Sequence, residues 1–265
     1  MNALVTTASA ADLADLKRAK ALLETPGLAI QIANYVGAPV EYLLAQKLPG
    51  GASAIINRAA RRAVESGYNT AAATFREGRT GVRASTRMHK FAVAGTGALG
   101  GFFGLPGLLV ELPITTAAML RSIADIARSE GEAPTHAGTR LACIEVLALG
   151  GNRKDDDAAE SGYFATRAAL AQQVTAASRY VASSLGSGGA PAVVRAINAI
   201  ASRFSIPVTQ KALAQAAPVI GAASGAAMNL IFISHFQNAA RGHFIVRRLE
   251  RQHGPAVVRH WYERV

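Results

Sequence analysis

The chain is poor in the residues that most often announce a function. It has one cysteine and one tryptophan, aromatics make up 6%, and charged residues make up 17%. The single cysteine, Cys143 in the apolar run LACIEVLAL, excludes an intrachain disulfide and fits a reducing compartment. At that position it reads as a buried, inert thiol. No run alternates with a strand period over a useful length, and no repeat of solenoid length appears. A nucleophile elbow, a paired-histidine zinc helix and an alternating carboxylate calcium loop are all missing. The N-terminal MNALVTTASAADLADLKRAK lacks a basic segment followed by an apolar one, so a cleaved secretion signal is not expected.

What is present is small and apolar. Half of the 265 residues are hydrophobic, and alanine and glycine are abundant. A core of such side chains lets helix backbones approach closely, in bilayers and in tight soluble bundles alike. The net charge is +11, and two segments hold nearly all of it: Arg58–Lys90 carries +6 and Arg241–Val265 carries +4. The positive charge is therefore a local surface feature.

The periodicity is helical nearly throughout. Ser9 can cap AADLADLKRAKALLE, and Thr25-Pro26-Gly27 stops it. LAIQIANYVGAPVEYLLAQKL is interrupted at Gly37 and Pro39, and ASAIINRAARRAVESGYNTAAATF follows Pro49-Gly50-Gly51. After Leu120 the helical pattern continues as RSIADIARSEGE, and further helices are expected over RLACIEVLALGG, residues 163–184, VVRAINAIASRF and QKALAQAAPVIGAASGAAMNLIFISHF, before a basic tail. The expectation is an all-α multi-helix bundle, with an N-terminal helical segment over 1–50 and one helical domain over 51–265.

Two apolar segments raise the question of a membrane. In Phe91–Leu120 the only charge is Glu111. A span needs about 20 uninterrupted apolar residues, and Gly104-Leu105-Pro106-Gly107 reads as a turn that divides this run into two halves too short to cross. A carboxylate at bilayer depth argues the same way. Ala212–Phe236 is long enough but is diluted by Pro218, Asn229 and His235. Both carry small residues four apart: Gly97, Gly101 and Gly104 in the first, Gly221 and Gly225 in the second. The expectation is a Gly/Pro-broken hairpin packed through these glycines on the second segment's helix.

Several blocks occur in an order that resembles the EcsC family. They are GFFGLPGLLVELP, then LGG followed by DDDAAESGYFATRAAL, then RFSIPVTQKALAQAAPVIGAASGAAMNLIF, and last HFQNAARGHFIVRRLE. The resemblance covers the chain from about Pro39 onward. It implies a bacterial, mainly helical protein of a family named after a gene neighbouring an ABC transporter, set at the cytoplasmic membrane. It implies no reaction.

The residues themselves offer two functional readings. In the first, Arg76, Arg79, Arg83, Arg87 and Lys90 fall three or four apart and align on one helical face. Anionic lipid head groups suit them better than nucleic acid, because only Tyr68 and Phe75 accompany them as stacking aromatics. Phe102, Phe103 and Leu105 in the adjoining turn would insert beside them. This reading gives a non-enzymatic, membrane-associated protein at the cytoplasmic face, binding anionic lipid or a membrane-protein partner. The second reading is a hydrolase-type enzyme with Glu111, Asp156 of the Asp155–Asp157 run, and His235 as its weak candidates. Each has a blander explanation. Glu111 suits an ion pair or a cap, the acidic run suits a helix start, and His235 and His243, about 12 Å apart over two turns, suit structural roles. Gly95, Gly97 and Gly100 fit a dinucleotide glycine spacing, but no strand precedes them. No cofactor and no metal is implied.

Overall fold

The computed structural model describes residues 8–74, 104–150, 162–182, 191–216 and 224–265. Local signals set many of the helix ends. Ser9 accepts the Asp12 amide at 3.1 Å and donates its hydroxyl to the Asp12 carboxylate, which starts α1 (Ala10–Leu23). After Pro26 and Gly27 comes α2 (Leu28–Val36), closed by Gly37 at φ 71°, a left-handed conformation that favours glycine. The short α3 (Val40–Leu44) and the long α4 (Ala52–Thr74) follow. Beyond them lie α5 (Gly104–Ser129), α6 (Ala137–Leu149), α7 (Gly162–Ala182), α8 (Pro191–Ala216), α9 (Ser224–His253) and α10 (Pro255–Tyr262). The fold is an all-α multi-helix bundle, with no strand among the described residues.

At its centre is α6. Every residue from Leu141 to Ala148 is buried, and the helix touches α4, α5, α7, α8 and α9. A helix apolar on all sides has to be surrounded in this way. Around it, α4 lies along α5 and α8, α7 lies on α8, and α9 packs against α5. The principal core includes Leu112, Met119, Leu120 and Ile123 of α5, with the rings of Phe204, Phe232 and Phe236 meeting at 5.1–6.1 Å. A smaller core of Leu16, Tyr163, Leu249, Trp261 and Tyr262 joins α1, α7, α9 and α10. Lys20 of α1 ties that end together by donating to the carbonyls of Tyr262 and Val265 at 3.1 and 2.8 Å.

Three sequence expectations are corrected here. Gly104-Leu105-Pro106-Gly107 is the first turn of α5 rather than a turn between helices; a proline there forfeits no intrahelical hydrogen bond. The Leu108–Leu120 half continues as one helix to Ser129, as its periodicity predicts, and runs straight through Pro113. In the same way α8 continues through Pro207, where two separate helices were expected. Leu108, Leu112, Met119 and Leu120 bury on both sides of Pro113, and Phe204 and Val208 flank Pro207. That burial outweighs the ~3 kcal/mol helix penalty of each proline. The segment Ala212–Phe236 is shared between the end of α8 and the start of α9. Among the described residues, no helix is long and apolar enough to cross a membrane.

Small residues do set close helix approaches. Gly67 of α4 faces Leu120 of α5, and Gly242 of α9 faces Leu23 and the Ala19 carbonyl of α1. Neither belongs to the glycine pairs singled out in the sequence. Of those, Gly97, Gly101 and Gly221 lie outside the described residues, while Gly104 opens α5 and Gly225 lies in the first turn of α9.

Candidate functional site

Glu111, the lone charge of the opening apolar run, is 5% exposed. Its Oε1 accepts from Lys211 Nζ of α8 at 2.8 Å and from Thr115 Oγ1 at 3.2 Å. Lys211 is fully buried, and its ammonium sits 5.2 Å from the centre of the Phe232 ring. Burial pushes the Lys211 pKa below the ordinary lysine value, with the Glu111 charge and hydrogen bond opposing that shift. The carboxylate is thus committed to a buried ion pair, with a lysine one hundred residues away as its partner. Lys211 itself carried no signal, because in VTQKALAQ it follows two polar residues and reads as an exposed helix position.

His235 has both ring nitrogens occupied. Nε2 donates to the Gly150 carbonyl at 2.8 Å, so Nδ1 accepts from Gln31 at 3.0 Å. Burial lowers its pKa, the bond to Gly150 opposes the shift, and the ring stays neutral. This histidine is a strut linking α2, α6 and α9. Asp155–Asp157, with Asp156 among them, lies outside the described residues, as do Arg76, Arg79, Arg83, Arg87, Lys90, Phe102 and Phe103. Leu105 is in the first turn of α5. Among the described residues no group of carboxylates, histidines and thiols is arranged to hold a metal ion. Cys143 is buried in α6, with its pKa raised by burial, as suits an inert thiol.

Two features of the surface remain. The first is on α5, where Val110 is 68% exposed and Ile114 is 53% exposed. One turn apart, with the half-buried Pro113 and Ala117 beside them, they make an outward apolar stripe in the stretch after GFFGLPGLL. Val110 and Ile114 are two of the large apolar side chains that the described surface leaves exposed, on a helix whose inner face is packed.

The second is a groove of about 560 Å³ between α7 and the α9–α10 corner. One face of α7 supplies Phe164, Arg167, Ala168, Ala171 and Val174 at helical spacing. From α9 come Arg247 and Glu250, from α10 Arg259, and from the buried α6 Glu145. Arg167 forks onto Glu250 with contacts of 2.7 and 3.0 Å, a bidentate pair that bridges α7 and α9. Its Nη1 also reaches the Tyr163 hydroxyl at 3.3 Å, which in turn donates to His243 Nδ1 at 3.1 Å. His243 is fully buried; burial first, then the charges of Arg167 and Arg247, push its pKa well below the ordinary value. Behind the groove Glu132 accepts from Arg247 Nε at 2.9 Å, from Thr139 at 2.8 Å and from Arg251. Its pKa is lowered, because the Arg247 and Thr139 bonds outweigh the burial that would raise it.

Glu145 is the odd member. It is 6% exposed and has no hydrogen-bond partner among the described residues. Burial pushes its pKa up, and the charges of Arg167 and Arg247 only partly oppose that. The signal for this residue in the sequence is a lone carboxylate inside the apolar run LACIEVLAL.

No curated protein and no solved structure matches the chain. A family model does, over residues 29–249, a stretch reaching from the second residue of α2 to Leu249 in the last turns of α9. It therefore takes in α5 with its apolar stripe and, around the groove, α6, α7 and most of α9 but not Glu250 or α10, and on that match the chain belongs to the EcsC protein family.

Proposed function

We propose that this EcsC-family protein works at the inner face of the cytoplasmic membrane as a non-enzymatic helical module, binding anionic lipid or a membrane-protein partner there. The observation that carries the reading is the exposed Val110–Ile114 stripe of α5. Moving a Val or Ile side chain from water into an apolar phase is worth roughly 1.5–3 kcal/mol. Two such residues alone give weak, reversible attachment, so a second signal is needed. The sequence supplies one in Arg76, Arg79, Arg83, Arg87 and Lys90, upstream of the stripe. Each basic residue near an anionic surface adds about 1 kcal/mol. In this reading the bundle lies on the bilayer, with α5 dipping its outer edge into the head-group boundary. Glu111, on which a hydrolytic reading rests, spends its charge on Lys211 inside the bundle.

Co-sedimentation with vesicles tests the proposal. The parent should bind vesicles containing phosphatidylglycerol at low salt and release as salt approaches a Debye length of ~3 Å near 1 M. Changing the five basic residues to Gln should weaken that binding at least ~10-fold, given about 1 kcal/mol for each charge. V110S/I114S should weaken it in a way that salt does not reproduce. Parent-like binding by both variants, with folding verified by circular dichroism, would count decisively against the reading.

A further inference from the structure

We infer that the groove between α7 and the α9–α10 corner is a binding site for a small anionic amphiphile, one carboxylate or phosphate head on an apolar body. The inference stands apart from the membrane-surface reading, since it concerns a different face and a different set of residues.

Its polar end is built from Arg247 and Glu145. Arg247 uses Nε on Glu132, and neither of its Nη groups has a partner among the described residues. A guanidinium with one edge fixed and the other free is oriented in advance for a two-oxygen anion. Glu145 lies on the same wall, almost wholly buried and without a hydrogen bond. The Arg247 edge takes the negative charge of the ligand head, beside the Glu145 carboxyl on the same wall. Arg167 is paired with Glu250 and Arg259 with Glu263, so the Nη edge of Arg247 is the donor on this wall that an anionic head would meet.

The apolar end is set by α7. Ala168, Ala171 and Val174 form a shallow strip flanked by Phe164, whose ring lies 5.7 Å from the Arg259 guanidinium. Two alanines in that strip leave room for an alkyl chain or a ring to lie along the helix. The volume of about 560 Å³ falls in the ~300–1,000 Å³ range of small-molecule sites. A bare inorganic anion leaves the strip empty, and a neutral apolar molecule makes no use of the Arg247 Nη edge. The two ends together specify an amphiphile.

The experiment is calorimetric titration of the full-length protein with decanoate, decyl phosphate, inorganic phosphate and decyltrimethylammonium, below their micellar concentrations. Saturable one-to-one binding of decanoate or decyl phosphate is expected, and the preferred one identifies the head group. Inorganic phosphate should bind at least tenfold more weakly and the cationic amphiphile not at all. A171W, which fills the exposed strip without touching a charge, should weaken binding at least tenfold and leave the melting temperature unchanged. R247Q should do the same to both anions if it folds, and A171W decides the matter if it does not. V110S/I114S should bind like the parent, which separates this site from the membrane-facing stripe. No saturable binding by either anionic amphiphile, equal binding of the cation, binding of inorganic phosphate alone, or parent-like binding by folded A171W would each overturn the inference.

Discussion

Lys211 and Glu111 meet in the interior of the bundle, where Thr115 also donates to the carboxylate and the Phe232 ring lies under the ammonium. Removing one partner strands the other. K211M should therefore cost about 3–5 kcal/mol of stability, the range for breaking a buried ion pair. The double variant E111L/K211M should recover most of that loss, because matched apolar side chains remove both desolvation penalties together. Urea midpoints of the two single variants and the double one provide the check. A double variant as unstable as the sum of its singles would mean that the two charges are not coupled. At this scale the sequence was half informative. A lone Glu in a thirty-residue apolar run has to find a partner or a cap, so Glu111 drew attention. The position of its lysine depends on how α5 and α8 cross, which no local pattern records. Glu145 was missed for the opposite reason: its signal was local and plain, but the run was read for Cys143 instead.

The helices were legible wherever a cap or a Gly-Pro stop coincided with the end of an apolar period, as at Ser9, Pro26 and Gly37. They were misread where Pro207 lies inside a helix. Pro113 and Pro207 carry a breaker's local signal, and only the burial on both sides of each overrides it. The close approaches followed the same logic. Spacing of small residues four apart pointed to particular glycines, whereas the described crossings use isolated ones, Gly67 and Gly242. These two give a graded prediction. A Cβ at Gly242 meets the Ala19 backbone carbonyl at 2.9 Å, and a backbone cannot rotate away. G242A should destabilise the protein by about 1–3 kcal/mol through overpacking at the α1–α9 crossing. A Cβ at Gly67 meets the end of the Leu120 side chain, which can change rotamer. There the ~1 kcal/mol helix gain of alanine over glycine offsets the crowding, so G67A should be close to neutral. Melting curves followed by circular dichroism rank the two; a G67A variant as damaged as G242A would mean that the α4–α5 interface is equally rigid.

At the scale of the molecule, these buried groups set how stability responds to pH. His235 and His243 are both held neutral inside the bundle, with pKa values below the ordinary 6.5. Above 6.5 neither the folded nor the unfolded chain protonates them, and they add no pH dependence. As pH falls through 6.5 the unfolded chain takes up protons first, so the folded state loses stability progressively until its own lowered values are reached. Glu145 acts in the opposite sense. Its folded pKa is raised above the ordinary 4.5, so its contribution is complete below 4.5 and is lost as pH rises through the folded value. Between 6.5 and 4.5 the two effects oppose each other, with two histidines against one carboxyl. The parent should therefore lose stability between pH 7 and pH 5, though less steeply than the histidines alone dictate. E145Q removes the compensating group and keeps the shape, so its loss over the same interval should be steeper. Urea midpoints for both proteins at pH 7, 6 and 5 measure the two slopes. Equal slopes would mean that Glu145 binds the same number of protons folded and unfolded across this interval.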